Sequence, residues 1–428
     1  MTAFDRLPDS VLHSISILSS HLPPSLDLAC IPRRYNRLLT YSRVCRAFAR
    51  VAQQLLFKHL DFATAAAVNE FCAVVDSSPN ARRLAFFTST SMRISPTPEG
   101  LDEKATITSG QLDALFRRTP GVVELHLEYS WCDPLALSYL AGLRRLHLIN
   151  TALACIAPAK HSHGQVSLPM EKEAESWYLP QLTHLSLNIV VFRDEDRKKI
   201  LLRQLLNPTS LPSLRSLAVT WTAHTSKPDF HLVAPQLTHL WLQRKLVARP
   251  KGYSYNCRDA PAFPDADLAC CTSQLKHLAI DLRDRSELDD LRAIGTATVS
   301  SNGTSSQPIP PISLRTLRLS SPYLTTAERV ILSADLPSLA SLHALLVSDV
   351  SDLPADRVLA HAKQRETVKQ HCAALGVAVY GRDFQGEDVD EYDDKDEGQY
   401  ARHERQEKQW GVLCEFVDNR ARRRVAGG

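Results

Sequence analysis

Leu143-Arg144-Arg145-Leu146-His147-Leu148 is the stretch that decides the fold. Its frame is an apolar residue, two others, a leucine, one other, and a second apolar residue. Val122-x-x-Leu125-x-Leu127 precedes it in the same frame. Leu182-x-x-Leu185-x-Leu187, Leu214-x-x-Leu217-x-Val219 and Leu237-x-x-Leu240-x-Leu242 follow, then Leu275-x-x-Leu278-x-Ile280 and Leu314-x-x-Leu317-x-Leu319. Weaker copies begin at Ala81 (with Leu84 and Phe86) and at Leu339 (with Leu342), and Val377 and Val379 suit a last strand. The last two apolar points are two residues apart, which is the period of one face of a β-strand.

A frame that returns this often reads as a leucine-rich repeat. Each unit gives one strand to a parallel sheet and buries its leucines in a shared interior. Pro180, Pro212, Pro235 and Pro337 stand before several of the strands as turn residues. Helices are expected at 64–76, 193–206, 326–334 and 355–375, on the outer side. Long loops are expected at 156–179 and 247–270, and a Ser, Thr, Gly and Pro-rich disordered insertion at 295–313. The spacing is uneven, and the asparagine that regular repeats carry after the second leucine is missing; Thr151 and Lys245 stand at that offset in two units. The array is therefore degenerate. Buried strands of another α/β fold are the competing reading, and the number of copies favours the repeat.

Strand alternation fixes which residues leave the core. The slots beside the inner leucines hold Glu124, His126 and Glu128; Arg145, His147 and Ile149; His184, Ser186 and Asn188; Ser216, Ala218 and Thr220; His239, Trp241 and Gln243; His277, Ala279 and Asp281; Thr316, Arg318 and Ser320. These are expected on the concave face. Trp241 is expected to stand exposed there, and tryptophan and arginine are the residues most often found at binding hot spots. His184, His239, Trp241, His277 and Arg318 are therefore the candidate target-binding residues. The recurring histidines read as tolerated polar residues on an exposed strand rather than as a metal site.

The first sixty residues follow a different pattern. Leu7-Pro8 opens a helix in which Val11, Leu12, Ile15, Leu18 and Leu22 make one stripe, and Pro23-Pro24 ends it. A second series runs from Leu38 and Leu39 through Val44, Cys45, Phe48, Val51, Ala52, Leu55 and Leu56, with Arg43, Arg46, Arg50 and Lys58 on the other side. Two or three short helices make a poor core unaided. Leu7-Pro8, Val11-Leu12, Ile15 and then Val44-Cys45-Arg46-x-Phe48 with Ala52 resemble the F-box, over residues 4 to 60. Ser19 to Arg37 is longer than that family's usual connection and reads as an insertion.

The resemblance implies docking on the Skp adaptor of cullin-based ubiquitin ligases through Leu7, Pro8, Val11, Leu12, Ile15, Leu39, Val44, Cys45 and Phe48. The repeat array together with this module resembles the fungal F-box proteins with degenerate leucine-rich repeats. The expected fold is α/β: an F-box-like helical module over 1–60, an irregular leucine-rich-repeat solenoid over 61–384 with a parallel concave sheet and outer helices and loops, and a charged, disordered or partly helical tail over 385–428. That tail carries eight acids and one lysine between Glu387 and Glu397. Beyond them, Trp410, Leu413 and Phe416 are suited to pack back on the last repeat.

Composition narrows the function classes. A formal net charge of +3 gives no field for nucleic acid. No run of about 18 apolar residues suggests a membrane span. Ten scattered cysteines without a C-x-x-C pair, and no signal-like start, point to reduced thiols in cytoplasm and/or nucleus. Phosphate loops, nucleophile elbows and H-E-x-x-H are lacking, and His161-x-His163 has no evident partner ligands. No enzyme activity, cofactor or metal is expected. The expected function is a substrate-recognition adaptor holding an unknown target protein, linked through Skp to a cullin. A repeat scaffold without a ligase role is the alternative.

Overall fold

The computed structural model describes residues 11–12, 38, 40, 42–96, 107–153, 178–188, 191–192, 206–222, 230–245, 271, 274–281, 314–320, 341–347, 355–380 and 399–426. They belong to two compact units, Met1–Leu214 and Arg215–Gly428. The expected helix at 193–206, apart from Leu206, that at 326–334, the insertions at 19–37 and 295–313, and the long loops at 247–270 and at 156–179, the latter apart from its last two residues, lie outside the described residues.

In the first unit, helix α1 (Arg46–Lys58) runs directly into strand β1 (His59–Phe62). Helix α2 (Ala65–Ser77) is capped by Thr64, whose hydroxyl accepts from the Ala67 N–H at 3.1 Å. Helix α3 (Pro79–Thr88) starts with proline in its first turn and Ser78 as its cap. Strand β2 (Ser91–Ile94) follows, and helix α4 (Ser109–Arg118) opens with a reciprocal capping box between Thr108 and Gln111. Arg118 reaches back to Asp76 and ties α4 to the end of α2.

Then come β3 (Glu124–Glu128), β4 (Trp131–Cys132), β5 (Arg145–Ile149), β6 (Ala152–Leu153), β7 (His184–Asn188) and β8 (Val191–Phe192). Strands β1, β2, β3, β5 and β7 pair in that order, all parallel. Strands β4, β6 and β8 make a second small parallel sheet. The chain passes from β3 to β4 and from β5 to β6 through Tyr129 and Asn150, both in the left-handed region at φ 46°. Two residues after β3 and after β5 stand Ser130 and Thr151, at equal offset from Leu127 and Leu148. Ser130 Oγ donates to Glu128 O at 2.8 Å. Thr151 Oγ1 lies 2.9 Å from Leu127 O and 3.1 Å from Ile149 O, so its one proton is shared between them. In these two units a buried hydroxyl occupies the offset where regular repeats carry asparagine.

The second unit holds β9 (Ser216–Thr222), β10 (His239–Lys245), β11 (His277–Asp281), β12 (Thr316–Ser320) and β13 (Ala344–Val347). Helix α5 (Ala355–Ala374), β14 (Ala378–Tyr380) and helix α6 (Gln399–Ala426) complete it. The six strands pair in chain order, all parallel. Gly376 ends α5 at φ +71°, with Val377 N–H returning to Cys372 O at 2.8 Å and Gly376 N–H to Ala373 O at 3.1 Å. That double bond is a Schellman motif, and it turns the chain into β14.

The core lies under the repeat frame. Leu125, Leu127, Leu146, Leu148, Leu185 and Leu187 are buried in the first unit, and Leu217, Val219, Leu240, Leu242, Leu278, Ile280, Leu317 and Leu319 in the second. The residue that opens the frame closes a turn onto the carbonyl three before it, at Val122, Leu143, Leu182 and Leu237.

Two expectations need correction. Ala81, Leu84 and Phe86 lie in α3 rather than on a strand; a gap of three fits a helix as well as the frame, and Ser78-Pro79 starts a helix. The strand is Ser91–Ile94, with Met92 and Ile94 inward. The copy placed at Leu339 has slid by three residues: Leu342, Leu345 and Val347 are buried and make the true frame. Among the described residues no helix is long and apolar enough to cross a membrane.

Candidate functional site

Parallel pairing in register lines up the outward slots into rows. In the second unit the middle row is Ala218, Trp241, Ala279, Arg318 and Leu346 across β9 to β13. Alanine on both sides of Trp241 leaves the ring room to lie over the sheet. Arg318, two strands away, extends across Ala279 and sets its guanidinium 4.1 Å from the Trp241 ring centroid. That is cation–π distance.

This row is not open to solvent. Helix α6 lies on it. Trp410 meets Trp241 edge-on, with centroids 6.5 Å apart at 90°. Ala218, Trp241, Ala279, Trp410 and Cys414 form one apolar cluster, with Leu346 and Leu413 against it. Trp410, Leu413, Cys414 and Val417 fall at helical spacing on the inward face of α6. Phe416, one of three residues suited to pack back, is instead exposed beside Val412 on the outer face. Trp241, expected to stand exposed, is 4% exposed, because the tail expected to be disordered or partly helical forms a helix over it. The acidic run before that helix lies outside the described residues.

The next row is Ser216, His239, His277, Thr316 and Ala344. The His239 and His277 rings stack, with centroids 4.2 Å apart. Each is anchored at Nδ1 by a threonine hydroxyl, His239 to Thr238 Oγ1 at 2.8 Å and His277 to Thr316 Oγ1 at 3.0 Å. Asp418 of α6 comes down on this row. Arg315 Nη1 donates to its Oδ1 at 2.7 Å, and His277 Nε2 is 3.5 Å from the same oxygen. Burial drives the His277 imidazole down to about 4, against the pull of Asp418. Burial raises the Asp418 carboxyl, but Arg315 and His277 outweigh it and hold the group below its ordinary value.

The first unit carries a polar counterpart. Arg93, His126, His147 and Ser186 form one row, and the His126 and His147 rings stack at 4.2 Å with planes 3° apart. Arg93 donates through Nε and Nη2 to Glu128 Oε1 at 3.1 and 3.0 Å, and Ser95 Oγ to Glu128 Oε2 at 2.7 Å. Glu124 lies 3.1 Å from His126 Nε2, and that hydrogen bond holds its carboxyl down to about 2. His147 is held well below the ordinary imidazole value by desolvation and then by His126. His184, an expected target-binding residue, is exposed at the end of this surface, beside Arg145.

The N-terminal candidates divide as well. Leu7, Pro8, Ile15 and Leu39 lie outside the described residues. Leu12 and Phe48 are buried in a cluster with Leu38, Val51, Ala52 and Leu55, with Cys45 at its margin. Val11 and Val44 point outward, 40% and 51% exposed. Helix α1 also packs on α3 and β1.

No protein-family model matches the chain, and no curated protein matches it. Among solved structures it is similar to the yeast complex of Rad7 and Elc1, with 13% identity over 80% of this chain and 91% of that one. The TM-score is 0.26, too low to establish a shared fold. The parallel repeat sheets are read from the strand pairing itself.

Sequence reasoning placed the rows of outward residues. It missed that α6 covers the second unit's rows, and it missed Asp418 and Cys414 as members of the site. The stripe Trp410, Leu413, Cys414, Val417 was the available signal for a buried helical face.

Proposed function

We propose that this protein is the substrate-recognition adaptor of a Skp-cullin-F-box type ubiquitin ligase, acting in cytoplasm and/or nucleus. The N-terminal helices bind the Skp adaptor, and through it a cullin; the repeat strands hold a target protein near the ubiquitin-loaded enzyme. The chain itself performs no bond chemistry and needs no cofactor for this role.

The observation that carries the reading is the N-terminal module. Its Val44-Cys45-Arg46-x-Phe48 segment starts α1, with Phe48 turned into a small core and Val44 turned out. Leu12 and Phe48 hold the module together, so the docking set narrows, among the described residues, to Val11 and Val44, with Cys45 at the edge. Each fully buried valine contributes about 1.5–3 kcal/mol against an association cost of about 4–15 kcal/mol. Two valines are therefore insufficient alone, and the wider F-box-like set is part of the reading.

A capping role has its own support, since α1 packs on α3 and β1 and solenoid ends need a cap. On that reading the protein is a scaffold without a ligase. A pull-down with purified Skp adaptor separates the two. Binding by the intact chain that is lost in Val11→Asp, Val44→Asp, with circular dichroism unchanged, supports the adaptor. No binding by the intact chain leaves the scaffold.

A further inference from the structure

We infer that His239, His277, Cys414 and Asp418 form a structural zinc site that clips α6 onto strands β10 and β11. His239, His277 and Cys414 offer one ligand atom each, all within 4.8 Å of one another. Tetrahedral zinc with bonds of about 2.0–2.3 Å sets its ligand atoms roughly 3.3–3.8 Å apart. From a spacing of up to 4.8 Å the three need to close by about 1.5 Å or less, within reach of side-chain rotation. The 3.5 Å between His277 Nε2 and Asp418 Oδ1 already falls in that range. Cys414 and Asp418 are four residues apart on α6 and so share one helical face.

Three further observations point to a ligand. The His277 side chain is fully buried, and among the described residues its Nε2 meets only Asp418 Oδ1, at 3.5 Å and too far for a good hydrogen bond. A buried polar atom left so is costly, and a metal would satisfy it. Both imidazoles are held at Nδ1 by threonine hydroxyls, and Asp418 is held by Arg315. Outer contacts of this kind orient the groups that ligate metal ions. Finally, a soft thiolate with two imidazoles is a ligand set suited to zinc, and the Asp418 carboxylate beside His277 would close it at four protein ligands, as in a structural site. Burial keeps the Cys414 thiol protonated on its own; zinc supplies the counter-charge and the cysteine proton leaves to solvent on binding.

The sequence hides this site. His239 and His277 are 38 residues apart and Cys414 is a lone cysteine far downstream, so no metal-binding spacing exists along the chain. Parallel register makes the histidines neighbours, and α6 brings the sulfur to them.

The test uses the full chain, prepared in zinc-containing medium and passed over a chelating resin. Bound zinc is measured by elemental analysis, and cobalt(II) substitution is followed by its absorption. About one zinc per chain is expected, with a cobalt spectrum showing tetrahedral geometry and a thiolate charge-transfer band. Cys414→Ala should abolish that band and lower zinc affinity at least about 10-fold, as should His277→Ala. Cys372→Ala, which removes another buried thiol far from the cluster in sequence, should keep both. Circular dichroism establishes that each variant is folded; Cys414→Ala is helix-compatible and serves if His277→Ala is not. An intact chain that retains no zinc, or a folded Cys414→Ala protein that retains it unchanged, overturns the site.

Discussion

Replacing Trp410 with alanine should undock α6 while leaving the repeat strands folded. Trp410 is almost wholly buried, and its partners are Trp241, Ala218, Ala279 and the inward face of its own helix. Truncating a buried tryptophan costs about 3–5 kcal/mol, of which the edge-to-face contact supplies about 0.5–1.5 kcal/mol. What remains on the inward face, in the metal-free protein used for this test, is Cys414, Val417, half-buried Leu413 and the part-exposed Asp418–Arg315 pair. The outer face is mostly charged, and most of a helix's stability within a protein comes from the packing of its apolar face. At about 1.4 kcal/mol per tenfold, the local opening constant rises by roughly two to three and a half powers of ten. Amide hydrogen exchange read by mass spectrometry over 410–423 measures this directly. Protection there should fall by at least about 100-fold, with the β10 and β11 amides much less affected. If protection over 410–423 changes less than about tenfold, the helix is held by something other than this tryptophan contact, and the reasoning fails.

Two other outcomes follow from the first unit. Thr151→Val keeps the shape but leaves the Leu127 and Ile149 carbonyls without their shared donor, so thermal or denaturant unfolding should show a loss of about 1–3 kcal/mol. Acid should destabilise the same unit in two stages. His147 and His184 are both depressed below 6.5, so below that pH the unfolded chain takes up protons that the folded chain refuses. Glu124 repeats this between its ordinary 4.5 and about 2, and its share is about 1–2 kcal/mol after allowing for its part-exposed position. The charged and titratable groups around them are Arg145 and His126, and Glu124→Gln should remove the second stage from a stability-versus-pH profile. A profile flat from pH 7 to 3 would contradict both assignments.

The repeat frame was legible because period-two leucines leave little choice. Seven copies gave seven strands at the expected residues, β3, β5, β7 and β9 to β12. Ala81 misled because the first two points of the frame are three residues apart, which a helix satisfies equally, and only the third point discriminates. Leu339 misled because four leucines between 339 and 346 fit the frame in more than one register. The rows of outward residues were legible too, since equal frame positions become neighbours in a parallel sheet. Their burial was not. An amphipathic stripe such as Trp410, Leu413, Cys414, Val417 says that a face is covered; it does not say against what. Likewise Leu12 and Phe48 read as docking residues by resemblance, whereas a module this small needs its largest side chains for its own core.

Because α6 belongs to the same chain as the surface it covers, it behaves as a tethered competitor. A tethered segment acts at an effective concentration in about the millimolar range, whatever the dilution of the protein. If docking is worth about 3 kcal/mol, the Trp241–Arg318 surface is free in roughly one molecule in 150, and the apparent affinity of any target for it falls by the same factor. A partner measured on a chain cut before residue 399 would then appear far tighter than on the whole protein. Weak, adventitious contacts would be filtered out, and a true target would be one that displaces the helix or binds it in place.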